Sequence, residues 1–198
     1  MSGMHTIGLI LAGGASRRFG GRDKAWFRYR GRPLACHAIE RLAPQVDRVV
    51  ASANRHGWAW RRLGVDVIAD DETWRGRGPL AAIASAFTAL QPTRLAIVPV
   101  DAPQAPVDHV ARLVMALDAG APAAALVGAG RRQPMFALLS DTATAKAQAA
   151  LAQPASPSMQ AWLDAIGATW VEGPWSDSAF ANINTPEDLA AWEPELPD

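Results

Sequence analysis

A single cysteine, Cys36, stands in the whole chain of 198 residues, so no internal disulfide can hold the fold. The four histidines, His5, His37, His56 and His109, are far apart and make no metal-ligand spacing. No apolar run approaches the length of a membrane span. The N-terminus shows no basic flank, long apolar core and cleavage site, so no secretory signal is expected. Together these features predict a cytoplasmic protein with no membrane association. No Ser-His-Asp set is evident, and Cys36 falls on a predicted helix face as a packing residue. Lysine is equally scarce: of 19 basic residues only Lys24 and Lys146 are lysines. Neither G-x-G-x-x-G nor G-x-x-x-x-G-K-[ST] occurs, which argues against a dinucleotide oxidoreductase and a P-loop ATPase.

What is present is a well-mixed globular composition, 49% hydrophobic and 19% charged, and a strand–helix alternation. Residues 6–13 read as a buried strand ended by glycine. Residues 47–54, 64–70 and 93–103 read as further strands, the last with few polar interruptions, as at the centre of a parallel sheet. Residues 123–128, 134–139 and 169–173 add three more. Helices are expected over 32–44, 78–90, 107–120, 141–153, 157–167 and 185–193. The last has a strong start, with Thr185 as N-cap, Pro186 at the first position and Asp188 three residues after the cap. This alternation predicts one α/β domain over residues 1–198, a Rossmann-like three-layer sandwich with a mostly parallel central sheet and helices on both faces. Ligands of such sheets bind in the crevice beyond the carboxyl ends of the strands.

The residues at those ends carry the chemistry. The first strand closes on Leu11-Ala12-Gly13-Gly14, and Arg17, Arg18, Arg22 and Lys24 follow. Bare backbone beside this much positive charge suits a phosphate group. A lysine in a chain that otherwise favours arginine suggests a need there for a compact point charge. Asp101 ends the strand of residues 93–103 and suits Mg²⁺, which takes oxygen ligands and phosphates. Asp70 ends the strand before it, and Asn54 the one before that, either as ligand contacts or as turn residues. Gly78-Pro79 opens a helix whose N–H groups would face the crevice. Charge is uneven: residues 1–62 hold 12 Lys+Arg against 3 Asp+Glu, and the rest 7 against 16. Either an anionic ligand lies near the N-terminal half or the halves neutralise each other. The overall neutrality argues against general nucleic-acid binding.

The motifs "LILAGGASRRFGGRDKAWF", "ANRH", "DDETWRGRGPLAA", "VPVDAP" and "FANINTPEDL" together resemble those of the molybdenum cofactor guanylyltransferases, the MobA family of nucleotidyltransferases. The resemblance runs from about residue 7 to residue 192. It implies transfer of GMP from GTP to the terminal phosphate of a molybdopterin-type cofactor, with release of pyrophosphate. It also implies contacts to GTP from Leu11, Ala12 and Gly13, to its phosphates from Lys24, and to the nucleoside from Asn54 and Asp70, with Asp71 as the alternative to Asp70. Asp101 would bind nucleotide and Mg²⁺, making Lys24 and Asp101 the catalytic pair. Transient contacts with other cofactor-biosynthesis proteins or recipient enzymes are implied as well. Asn182 and Asn184 would turn toward the pterin or merely shape the turn. Departures from the family pattern are Phe19, Ala82, Val100 and Gln133, the last on the pterin side. The rival readings are transfer from CTP to a pterin or a sugar phosphate, and GTP binding without turnover. The double glycine favours guanine.

Overall fold

The computed structural model describes residues 5–13, 23–185 and 187–188. Gly14, Arg17, Arg18, Phe19, Arg22 and Pro186 lie outside the described residues, as does the part of the expected closing helix that follows Asp188.

Seven strands form one sheet: β1 (Thr6–Leu11), β4 (Arg48–Ser52), β5 (Asp66–Ile68), β6 (Arg94–Pro99), β7 (Ala123–Gly128), β8 (Arg131–Ser140) and β9 (Thr169–Glu172). Their order is β5-β4-β1-β6-β8-β7-β9. β5, β4, β1 and β6 run parallel, and so do β7 and β9; β8 is antiparallel to both its neighbours. Two short strands, β2 (Arg28–Tyr29) and β3 (Arg32–Pro33), pair apart from the sheet.

Alternation along each strand distributes side chains to two cores. Ile7, Leu9 and Leu11 of β1 face one; Ile10 faces the other. The first core is roofed by α3 (Pro79–Leu90), α5 (Ala143–Leu151) and α6 (Met159–Ile166). The second is closed by α1 (Leu34–Leu42), α2 (Gly57–Arg62) and α4 (His109–Asp118). This is the three-layer arrangement expected from the alternation. α1 presses so closely on β1 that a Cβ on Gly8 would sit 2.7 Å from Leu42 Cδ2. No described helix is long and apolar enough to cross a membrane.

The structure departs from the sequence reading in three places. β8 begins at Arg131 instead of Pro134. Its pairing with β7 slips there, from Ala125↔Ala137 to Leu126↔Gln133, leaving Pro134, Met135 and Phe136 as a bulge. Pro134 has no N–H to give the ladder, so a bulge is where it fits. α2 and the β2–β3 hairpin were not expected at all. Both are short, and α2 is anchored by the wholly buried Trp60 more than by any periodic pattern.

Candidate active site

A cleft of about 990 Å³ opens beyond the carboxyl ends of β1, β4, β5 and β6. Leu11, Ala12 and Gly13 continue β1 into it, and Asn54, Asp70 and Asp101 follow the ends of β4, β5 and β6. The parallel register makes this convergence automatic, because adjacent parallel strands finish on the same side. The turn after β1 is fixed by backbone bonds: Ala12 N–H donates to the Ser52 carbonyl at 3.0 Å, and Val100 N–H to the Leu11 carbonyl at 3.2 Å. Among the described residues a Cβ on Gly13 would meet nothing nearer than the Ser52 carbonyl at 4.0 Å, so none of them crowds this position.

Lys24 begins a short 3₁₀ turn, Lys24–Trp26, capped by the Asp23 carboxylate accepting from Ala25 N–H. Ala25 is wholly buried, and the Trp26 ring packs against Trp60 with centroids 5.5 Å apart. This roots the lysine stem. Its Nζ donates to Asp101 Oδ2 at 2.8 Å and to Asn184 Oδ1 at 2.9 Å. Residues separated by 77 and by 160 positions are thus drawn to one ammonium. Both members of the Lys24–Asp101 pair are mostly shielded, with side-chain exposures of 20% and 17%.

Asn54 and Asp70 form a second reciprocal pair. Asn54 Nδ2 donates to Asp70 Oδ2 at 2.8 Å, and Asp70 N–H donates back to Asn54 Oδ1 at 3.1 Å. The amide therefore braces the carboxylate. Asp71 plays another part. Its side chain caps the 3₁₀ turn Glu72–Trp74, and its N–H donates to Ser85 Oγ at 2.8 Å. The cleft is lined by Asp70 and not by Asp71.

Opposite, the start of α3 contributes Gly78, Pro79 and Ala82. Gly78, at the N-cap, has a positive φ of 76°, a conformation glycine accepts without strain. The turn before it is tied down by Arg77, which donates to Ser156 Oγ and to the Gln153 carbonyl. Ala82, in place of the glycine that the family pattern leads one to expect, puts a methyl group on the cleft wall.

Sequence reasoning did not single out several lining residues. Arg55 and Arg75 add guanidinium groups, and Met135 enters from the β8 bulge. Arg55 adjoins Asn54 at a strand end, which is a usable signal. Met135 had none, since only the slipped register brings it there. Of the two C-terminal asparagines, Asn182 lines the cleft whereas Asn184 is turned onto Lys24. Gln133 donates to the Gly128 carbonyl at 3.3 Å within the β7–β8 turn and is not part of the cleft wall.

Known proteins resemble this chain in sequence and in fold. A molybdenum cofactor guanylyltransferase of Burkholderia orbicola (strain MC0-3) is 40% identical over 193 residues, covering 93% of each chain. One from Shewanella halifaxensis (strain HAW-EB4) is 36% identical over 191 residues, covering 90% of this chain and 89% of the relative. Among solved structures, the molybdopterin-guanine dinucleotide biosynthesis protein A of Archaeoglobus fulgidus superposes with a TM-score of 0.77 at 21% identity over 95% of this chain and 96% of that one. A 4-diphosphocytidyl-2C-methyl-D-erythritol synthase from Anaerococcus prevotii superposes with a TM-score of 0.72 at 11% identity over 96% of this chain and 97% of that one. The profile of the MobA-like NTP transferase domain matches residues 8–169, and the chain belongs to that family.

Proposed function

We propose that this protein transfers GMP from GTP to the terminal phosphate of a molybdopterin-type cofactor. The acceptor phosphate oxygen attacks the α-phosphorus, the bond from that phosphorus to the bridging oxygen breaks, and pyrophosphate leaves with the electron pair. The observation that carries this reading is the 36–40% identity, over nine-tenths of the chain, to molybdenum cofactor guanylyltransferases. The cleft is consistent with it, since it has room for a nucleotide and an acceptor together.

No side chain needs to form a covalent bond, because the acceptor phosphate is itself the nucleophile. The protein's contribution is alignment and charge stabilisation. The backbone of Leu11, Ala12 and Gly13 would lie along the nucleotide. Lys24 would turn its ammonium to the phosphates. Asp70, with one oxygen already engaged by Asn54, would accept hydrogen bonds from the nucleoside. Asn182 and Met135 would face the acceptor.

A divalent cation suits the oxygen donor at Asp101. Among the described residues no group of three or more His, Cys, Asp or Glu could hold a metal by itself. A metal here would take one carboxylate from Asp101 and its other ligands from substrate phosphates, which is the habit of Mg²⁺. When bound it would offset charge on the reacting phosphates. The lone cysteine and the one seven-stranded sheet support a single catalytic unit working in the cytoplasm. Recipient enzymes would meet it only transiently.

The deciding experiment measures pyrophosphate release with each of the four NTPs, with and without the pterin acceptor and Mg²⁺. Release is expected with GTP, and only when acceptor and Mg²⁺ are both present. Equal or better turnover with CTP would move the protein to the cytidylyl relatives. GTP binding without release would make it a carrier.

A further inference from the structure

Asn182 and Asn184 are two residues apart, yet they face different surroundings. Asn182 is exposed and lines the cleft. Asn184 accepts a hydrogen bond from Lys24 Nζ at 2.9 Å. Three neighbouring contacts hold it there. Ile183 N–H donates to the Asp101 carbonyl at 2.8 Å. The Ile183 side chain is buried with Tyr29 and Leu34 in a small core of its own. Asn184 N–H donates to Asp188 Oδ2 at 2.7 Å, and Asp188 also closes a capping box with Thr185. The C-terminal segment therefore clasps the backbone of Asp101 and the side chain of Lys24 at once.

The chemistry of the clasp is specific. To reach a phosphate oxygen, the ammonium must leave the Asp101 carboxylate. An ammonium has three donors and a flexible stem, so a fixed point beside Asp101 narrows the arc through which it swings. A neutral amide oxygen supplies that point without competing, as a second carboxylate would, for the positive charge. We propose that Asn184 is a positioning residue for Lys24 in GMP transfer, an inference that rests on the function proposed above.

The scarcity of lysine makes this testable. Lys24 and Lys146 are the only two in the chain. Lys146 Nζ donates to the Ile166 carbonyl at 3.2 Å and serves as an internal standard. Ligand-free protein is labelled with trace acetic anhydride, and the Lys24:Lys146 acetylation ratio is read by mass spectrometry. Asn184→Ala should raise that ratio at least about threefold, because a hydrogen bond to a charged group is lost. It should lower kcat for GMP transfer about tenfold and leave the acceptor KM unchanged. In a Lys24→Ala background the same substitution should cost nothing further, since residues acting through one group are not additive. Asn184→Asp keeps the oxygen and the shape, and covers the case in which the alanine variant does not fold. Its extra charge should lower Lys24 acetylation and raise the KM for GTP.

An unchanged labelling ratio in both variants overturns the proposal. So does an equal loss of kcat with and without Lys24, or a rise in acceptor KM alone, which would make Asn184 an acceptor contact. If the parent protein transfers no GMP, the functional reading fails, and the labelling ratio still decides whether Asn184 holds Lys24.

Discussion

Lys24 sits between two oxygens at 2.8 and 2.9 Å, and that geometry sets what can replace it. A guanidinium is planar and bulkier, with its donors in a fixed fork. Lys24→Arg should keep the fold and some GTP binding but turn over at least about tenfold more slowly, a loss of roughly 1.4 kcal/mol in transition-state stabilisation. Matching kcat values in the two proteins would reduce Lys24 to one charge among several. Asp101→Asn should also fold normally, because the bond from Ile183 uses the Asp101 backbone carbonyl, which the substitution leaves in place. It should lose most activity, and an unchanged Mg²⁺ dependence with full activity would place the metal elsewhere. His109 makes a different residue-scale prediction. It is wholly buried; its Nδ1–H donates to the Pro106 carbonyl at 2.8 Å, and its Nε2 has no partner among the described residues. Burial, slightly offset by that carbonyl and by Asp108, depresses its pKa from 6.5 to about 4. The unfolded chain therefore binds a proton between those values that the folded chain refuses. Stability from this group is complete above pH 6.5 and is lost as pH falls toward 4, by about 3 kcal/mol at most. The melting temperature should drop over that window, and His109→Gln should flatten the drop. A parallel drop in both proteins would assign the acid sensitivity to other groups.

At the scale of elements, the strands were legible because parallel strands buried on both faces read as continuous apolar runs. Asp101, Asp70 and Asn54 could be placed at a common edge from that fact alone. The sequence favours Asp70 over Asp71 because Asp70 directly ends the apolar run; the structure adds that Asn54 braces Asp70 at the cleft while Asp71 caps a turn. The Lys24–Asn184 contact was invisible: no local pattern reports a meeting across 160 positions. The β8 bulge escaped too, although Pro134 hinted at broken pairing. One tight contact between elements was also beyond the sequence. Gly8 reads there as an ordinary strand residue, yet it admits α1 against β1. Gly8→Ala should drive a methyl group into Leu42 and cost about 1–3 kcal/mol by overpacking. Denaturant unfolding would measure it, and a cost below about 0.5 kcal/mol would mean that Leu42 simply turns aside.

Across the whole molecule, the excess of base in residues 1–62 balances the excess of acid in the rest, and the sequence left open whether the halves cancel. Ion pairs do cross between them at Lys24–Asp101 and Arg48–Asp66. Others stay within one half, such as Arg32–Glu40 on the basic side and Arg94–Asp118 on the acidic side. Arg55 and Arg75 line the cleft beside Asp23, Asp70 and Asp101, and the exposed Arg61 and Arg62 of α2 add positive charge outside its lining. A positive field of this kind draws a polyanion toward the cleft before any contact forms, and salt screens it over about 8–10 Å at physiological strength. GMP transfer should therefore show a KM for GTP that rises several-fold between about 0.05 and 0.4 M KCl, while kcat changes little. Steering acts on encounter, whereas Lys24 and Asp101, in the role proposed for them, would act at contact distance, where salt screens less. Arg61→Gln with Arg62→Gln should weaken the salt dependence without lowering kcat at saturating GTP. A KM for GTP indifferent to salt would mean that the two halves cancel at the cleft, and that only the local contacts of Lys24 and Asp101 hold the nucleotide.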